Sequence, residues 1–271
     1  MSNDNHSINE FDYQLICEYF SITDRQGPGS EACTLRAFSY LKDLPNNPHI
    51  ADLGCGTGSS SFAIVKHNKV QIKAIDLFPK FIEKLDIRVN QTNLLGKIDT
   101  MVGDMGKLSF EEESFDAIWS EGAIYNIGFQ RGMKEWYHFI KTGGYIAVTE
   151  ATWLTDNRPK EIEDFWTDAY PEIDTLPNKV KQMEEAGYKN IITFVLPEDC
   201  WTKEYYIPQQ RTQEIFLQKY VDNPTAQALV TNQRYEAELY QKYKEFYGYV
   251  FYILSYGKWM GISIPIHFST H

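Results

Sequence analysis

The chain is short of the features that mark export, metal scaffolds or polyanion binding. Cysteine is scarce, with Cys17, Cys33, Cys55 and Cys200 the only four in 271 residues. None of them forms a C-x-x-C pair. Free thiols in a reducing compartment are therefore expected rather than a zinc ribbon or a disulfide framework. The six histidines are scattered, so no metal centre is expected. Long apolar runs are missing too. The most apolar stretch, Tyr249 to Leu254, is far short of the ~20 residues that cross a bilayer. Met1 to Glu10 is polar and lacks the apolar core of a signal peptide, so the expected location is the cytoplasm. Basic residues are outnumbered, 26 Lys and Arg against 37 Asp and Glu, for a net charge of −11. An acidic chain with no Lys/Arg run repels nucleic acid and anionic membrane surfaces, which disfavours both as partners.

What the chain does have is aromatic residues: 18 Tyr, 16 Phe and 6 Trp, many in its second half. They either line a cavity or fill a core. With 43% hydrophobic residues and no internal repeat, one α/β domain carrying an insertion is the economical reading. Residues 1–10 read as a tail, and 11–44 as helices broken at Gly27-Pro28-Gly29-Ser30, with Ser30 as a cap. The alternation starts at His49. His49–Leu53 reads as a strand, Ser59–His67 as a helix, and Val70–Ile75 as a strand ending at Asp76. A helix opens at Pro79, and Lys97–Val102 and Phe115–Trp119 are further strands. Met133, Trp136, Tyr137 and Ile140 predict a helix, turned by Gly143-Gly144 into a fifth strand, Tyr145–Thr149. Helices around Ile162–Ala169 and Lys179–Ala186 follow, then strands Asn190–Leu196 and Tyr249–Tyr256. Between these last two lies an insertion, residues 198–248, with a helix presenting Tyr235, Leu239, Tyr243 and Phe246. Such an insertion caps a site or makes a dimer contact.

The chemistry-bearing run is Asp52-Leu53-Gly54-Cys55-Gly56-Thr57-Gly58, between a strand and a helix. Glycines there let backbone N–H groups approach a ligand, and the helix N-terminus suits an anion. Asp76, at the next strand end, can accept hydrogen bonds from both ribose hydroxyls of an adenosine. Asp104, after the third strand, can accept from an adenine amino group, with Leu77 and Met105 on either side of the ring. An acid after a strand can instead simply cap a turn, which is the alternative for Asp104. Phe115 to Trp119 leads into Ser120-Glu121-Gly122, in the crevice where open α/β sheets bind ligands.

Together these residues resemble the class I S-adenosylmethionine (SAM)-dependent methyltransferases, and in particular their ubiquinone/menaquinone-biosynthesis-like (methyltransferase type 11) branch. The resemblance covers residues 45–150 in detail. It implies a Rossmann-like seven-stranded sheet in order 3-2-1-4-5-7-6, strand 7 antiparallel, with helices on both faces. It implies an N-terminal helical lid over 1–44 and a SAM-binding domain over 45–271. Asp52, Gly54, Gly56 and Gly58 match the first family motif, Asp76 the ribose acid and Asp104 the adenine contact. The expected activity is in-line transfer of a methyl group from SAM to a small molecule, leaving S-adenosylhomocysteine. Two other readings stay open: a nicotinamide-dinucleotide oxidoreductase, whose third glycine would fall at Ser59, and a SAM-binding protein without catalysis.

Glu121 is the first candidate for base, substrate anchor or cofactor contact, against a solvated loop acid. Tyr125 is the second catalytic candidate, and Asn126 follows it in the same loop. Trp153 is expected to pack under the cap, and His138 to be a structural histidine in mid-helix. Tyr13 and Tyr19 would close over the cofactor if the N-terminal helices form a lid. The aromatic helix of 235–247 is a possible homodimer surface.

Overall fold

The computed structural model describes residues 12–92 and 94–257. The tail expected over 1–10 lies outside them. One mixed sheet organises the fold. Its strands are β1 (His49–Leu53), β2 (Gln71–Asp76), β3 (Ile98–Val102), β4 (Phe115–Glu121), β5 (Ile140–Trp153), β6 (Asp174–Thr175), β7 (Lys189–Val195) and β8 (Tyr247–Ser255). The order is β3-β2-β1-β4-β5-β8-β7, with the two-residue β6 beside β5. Strands β1 to β5 are parallel, and β8 runs antiparallel between β5 and β7. This is the expected order with β6 as one added strand. Its reversal at β1/β4 opens a crevice at the carboxyl ends.

The parallel strands are apolar on both sides because both faces are covered. Ile118 and Trp119, neighbours on β4, are each fully buried in opposite cores. The helices before β6 are α1 (Tyr13–Phe20), α2 (Glu31–Phe38), α3 (Ser59–His67), α4 (Pro79–Gln91), α5 (Phe129–Trp136) and α6 (Lys160–Ala169). After it come α7 (Leu176–Glu185), α8 (Ile207–Lys219) and α9 (Pro224–Tyr243). Ser30 caps α2 as expected, accepting from the Cys33 N–H at 3.1 Å. Among the described residues no helix is long and apolar enough to cross a membrane.

Three local expectations need correction. The helix expected to reach Ile140 ends at Trp136, and a tight turn, Tyr137–Phe139, leads straight into β5. His138 is therefore exposed on that turn and not a core histidine. Gly143-Gly144 does not precede the strand but lies inside it. The β4–β5 register slips between Phe115 and Ala117 there, and a Cβ on Gly144 would stand 2.7 Å from the Asp116 carbonyl oxygen. The third correction concerns the insertion, which contains two helices rather than one. The face that α8 buries is Gln209, Thr212, Gln213 and Phe216. A polar buried face carries no hydrophobic periodicity.

Candidate active site at the carboxyl ends of the strands

The glycine run folds as a turn whose backbone is held from two sides. Gly54 and Cys55 N–H both donate to the Ile75 carbonyl, at 2.9 and 3.0 Å. Gly56 N–H donates to Asp76 Oδ2 at 2.8 Å. The loop and the acid twenty residues away are thus one unit. Gly54 and Gly56 both have left-handed φ, +71° and +56°. A Cβ on Gly54 would collide with Ala123 Cβ at 2.3 Å, so only glycine lets this turn approach the β4 loop. Asp76 Oδ1 accepts from Phe78 N–H at 3.0 Å, and burial raises its carboxyl above the ordinary range.

Asp52 lies beneath this loop, fully buried. Its Oδ2 accepts from Ser60 and Ser61 hydroxyls at 2.8 and 2.6 Å, while Oδ1 is buried without a partner. Burial pushes this carboxyl up to about 7, against the pull of the two serines. Asp104 caps its own turn, accepting from Gly106 N–H at 2.9 Å, with Lys107 at 3.4 Å. The Gly106 bond and Lys107 hold its carboxyl below the usual range. Around it Leu77 and Val102, at the ends of β2 and β3, are each about half exposed, an apolar pair left open at the crevice. Met105 is half-buried beside them, and its sulfur would be 3.4 Å from a Cβ on Gly54.

The segment between α1 and α2 lies over the glycine loop. Thr57 N–H donates to Gln26 Oε1 at 3.0 Å, and Gln26 Nε2 to the Thr57 hydroxyl at 3.2 Å. Both Thr57 and Ser59 hydroxyls donate to the Asp24 carbonyl. Gln26 fills the space over Gly56, where a Cβ would stand 2.2 Å from its Oε1. Glu121 is tied to the same segment. Its carboxylate takes Thr34 Oγ1 at 2.6 Å, Trp119 Nε1 at 2.9 Å and Arg25 at 3.3 Å. Only 5% of that side chain is accessible, so the solvated-acid reading of Glu121 falls.

Tyr125 is half-buried, its ring 5.9 Å from Tyr170, and its hydroxyl is raised by burial to about 12. Asn126 donates to the Ala123 carbonyl at 2.9 Å and so stiffens the loop. Tyr19 is buried and donates to Gln209 Oε1 at 2.7 Å, whereas Tyr13 is exposed, 6.0 Å from Phe78. Trp153 packs against Tyr247 and beneath Arg158. On the aromatic helix expected as a dimer surface, Leu239 and Tyr243 are buried and Tyr235 and Phe246 half-buried. Tyr240 stacks on Trp201 with centroids 4.5 Å apart, and Tyr235 meets Phe165. No metal-binding group of His, Cys, Asp or Glu occurs among the described residues. The one H-x-x-x-H spacing in the chain, His267 to His271, lies outside them.

Arg25, Gln26 and Thr34 escaped the sequence reading. The signal that could have found them is the polar pair immediately before the Gly-Pro-Gly-Ser break. A segment ending in such a break close to a cofactor loop can fold back over it.

The sheet order, the glycine turn and the strand-end acids together define a class I, SAM-dependent methyltransferase fold. Residues 50–144 match the methyltransferase domain family. A sarcosine/dimethylglycine N-methyltransferase of Aphanothece halophytica is 28% identical over 128 residues, 47% of this chain and 46% of the relative. A ubiquinone/menaquinone biosynthesis C-methyltransferase of Geotalea daltonii is 29% identical over 117 residues, 42% of this chain and 49% of the relative. The chain thus spans about half the length of these curated relatives. Among solved structures, a SAM-dependent methyltransferase of Geobacter sulfurreducens in complex with S-adenosyl-L-homocysteine superposes with TM-score 0.76 at 17% identity. That match covers 90% of this chain and 98% of the other. A structural-genomics target from E. coli matches with TM-score 0.77 and 17% identity, over 90% and 100% of the two chains.

Proposed function

We propose that the chain is a SAM-dependent methyltransferase acting on a small-molecule acceptor in the cytoplasm, with residues 1–44 forming a lid over the domain of 45–271. The observation that carries this reading is the hydrogen bond from Gly56 N–H to Asp76, which joins the glycine turn to the ribose acid. The donor set fits the cofactor. The start of α3 suits its carboxylate, and Asp76 keeps lone pairs for ribose hydroxyls. Leu77, Val102 and Met105 offer apolar surface to a base, with Asp104 beside them to accept from its amino group. The buried, unpartnered Asp52 Oδ1 leaves an acceptor under the loop for a cationic or hydrated group.

When bound, SAM supplies a methyl group already activated on a sulfonium. The protein's contribution is then placement and exclusion of water. Gln26 and Asp24 close the lid on Thr57 and Ser59, and Glu121 clamps it through Arg25 and Thr34. With both Glu121 oxygens engaged, Glu121 positions the lid and does not serve as a free base. Tyr125 shapes the acceptor side.

Calorimetry with S-adenosylhomocysteine tests the reading. Binding is expected for the wild type and none for NAD(H). Asp76→Ala is expected to weaken binding by at least about tenfold, since two charge-assisted acceptors are lost. No heat with S-adenosylhomocysteine, or equal binding of NADH, would overturn the reading.

A further inference from the structure

The second half of the chain holds a half-buried carboxylate with no counter-cation. The more deeply placed acids have partners, which for Asp52 are the two serine hydroxyls and no cation. Glu150 has Lys179, Asp116 has Lys141, Glu121 has Arg25, and Asp76 has two backbone N–H groups. Glu236, on α9, accepts one hydrogen bond, from Tyr206 Oη at 3.1 Å. Among the described residues no Lys, Arg or His nitrogen lies within ion-pair distance of it. Arg234, two residues away, is held by Gln213 instead, at 2.8 Å.

Around Glu236 stand tyrosines from four parts of the fold. Its charge acts on Tyr19, Tyr125, Tyr205, Tyr206, Tyr247 and Tyr249. Two glutamines complete the surround, each 2% exposed and each with an unpartnered polar atom: Gln209 Nε2 and Gln233 Oε1. Gln209 holds the Tyr19 hydroxyl, and Gln233 precedes Glu236 by one helical turn. Glu236 and Tyr125 are both half-buried, so each keeps surface that a small ligand can reach. Tyr249 connects this group to the strand-end crevice, its ring 3.3 Å from where a Cβ on Gly122 would stand.

A carboxylate without a cation, among aromatic faces and spare polar groups, is a receptor for an organic cation. We propose that this chamber binds a small alkylammonium compound, with Glu236 as its counter-ion and the tyrosine faces as its walls. Calling that compound the methyl acceptor rests on the methyltransferase reading above; its binding does not.

The test is calorimetry on the full chain with choline and with its uncharged analogue, in which carbon replaces nitrogen. Choline is expected to bind at least about tenfold more tightly, and Glu236→Gln to bring the two within about twofold. S-adenosylhomocysteine is titrated into both proteins in parallel. Equal affinity of wild type for charged and uncharged probes, or no binding of either, overturns the proposal whatever the variant does. Glu236→Gln that keeps the full preference for choline overturns the role of Glu236. If S-adenosylhomocysteine fails to bind while choline is still preferred, the methyltransferase reading falls and the cation site stands.

Discussion

Replacing Lys179 by Met should be among the most damaging single substitutions away from the crevice. Lys179 and Glu150 are both inaccessible to solvent, with Nζ 2.8 Å from Glu150 Oε1. The ammonium also donates to the Glu172 carbonyl at 2.8 Å and lies 4.3 Å from the Phe129 ring centroid. Glu150 Oε2 has no partner, and among the described residues the Tyr170 hydroxyl is the only other donor to this carboxylate. Met fills the volume but leaves Glu150 buried and unpaired. Breaking a buried pair in this way costs about 3–5 kcal/mol. For a chain of this size each kcal/mol moves the melting temperature by about 2–4 °C, so a fall of roughly 6–20 °C is expected by circular dichroism near neutral pH.

The loss should also depend on pH. Burial raises the Glu150 carboxyl, opposed chiefly by Lys179. Without Lys179 it rises further in the folded state. A folded value above the unfolded one means stability that is full at acid pH and lost as pH rises through the folded value. The variant should therefore lie closer to wild type near pH 5 than near pH 8. Adding Glu150→Gln should recover most of the loss at the higher pH, because a neutral amide is less costly to bury unpaired. A fall under about 2 °C, or an equal fall at both pH values, would refute the reasoning.

Two further outcomes follow from the same geometry. Because burial lifts Asp52 to about 7, its contribution to stability is full below the ordinary carboxyl range and lost as pH rises through about 7. Asp52→Asn should therefore flatten the thermal stability profile between about pH 5 and 8, and an unchanged slope would count against this. Cys33 on α2 and Cys200 in the insertion approach to 3.6 Å between sulfurs, both buried. Mild peroxide, reduced to water as two thiols join, should link them in a disulfide found by peptide mapping. Absence of that peptide under unfolding-free oxidation would mean the two thiols do not approach in solution.

Local patterns were enough to read the sheet and the glycine turn at its carboxyl edge. Period-two and period-3.6 alternation, with Pro79 and Ser30 at helix starts, mark elements whose stability comes from burying one face. The glycine run and the strand-end acids are legible because backbone geometry demands those residue types at those places. What failed was set by contacts distant in sequence. The end of α5 and the glycines inside β5 depend on the slipped pairing with β4, which no window around residue 140 contains. Helix α8 was invisible because three of the four residues on its buried face are polar, Gln209, Thr212 and Gln213, with Phe216 the one apolar member. The clamp of Glu121 on Arg25 and Thr34 spans more than 85 residues, and the tyrosines around Glu236 come from opposite ends of the chain. Sequence alone determined where the chain must turn and which faces it must bury, since these are local demands on backbone and periodicity. Only the tertiary structure decided which charges are paired and which stand alone, because pairing is a property of distances the chain acquires on folding.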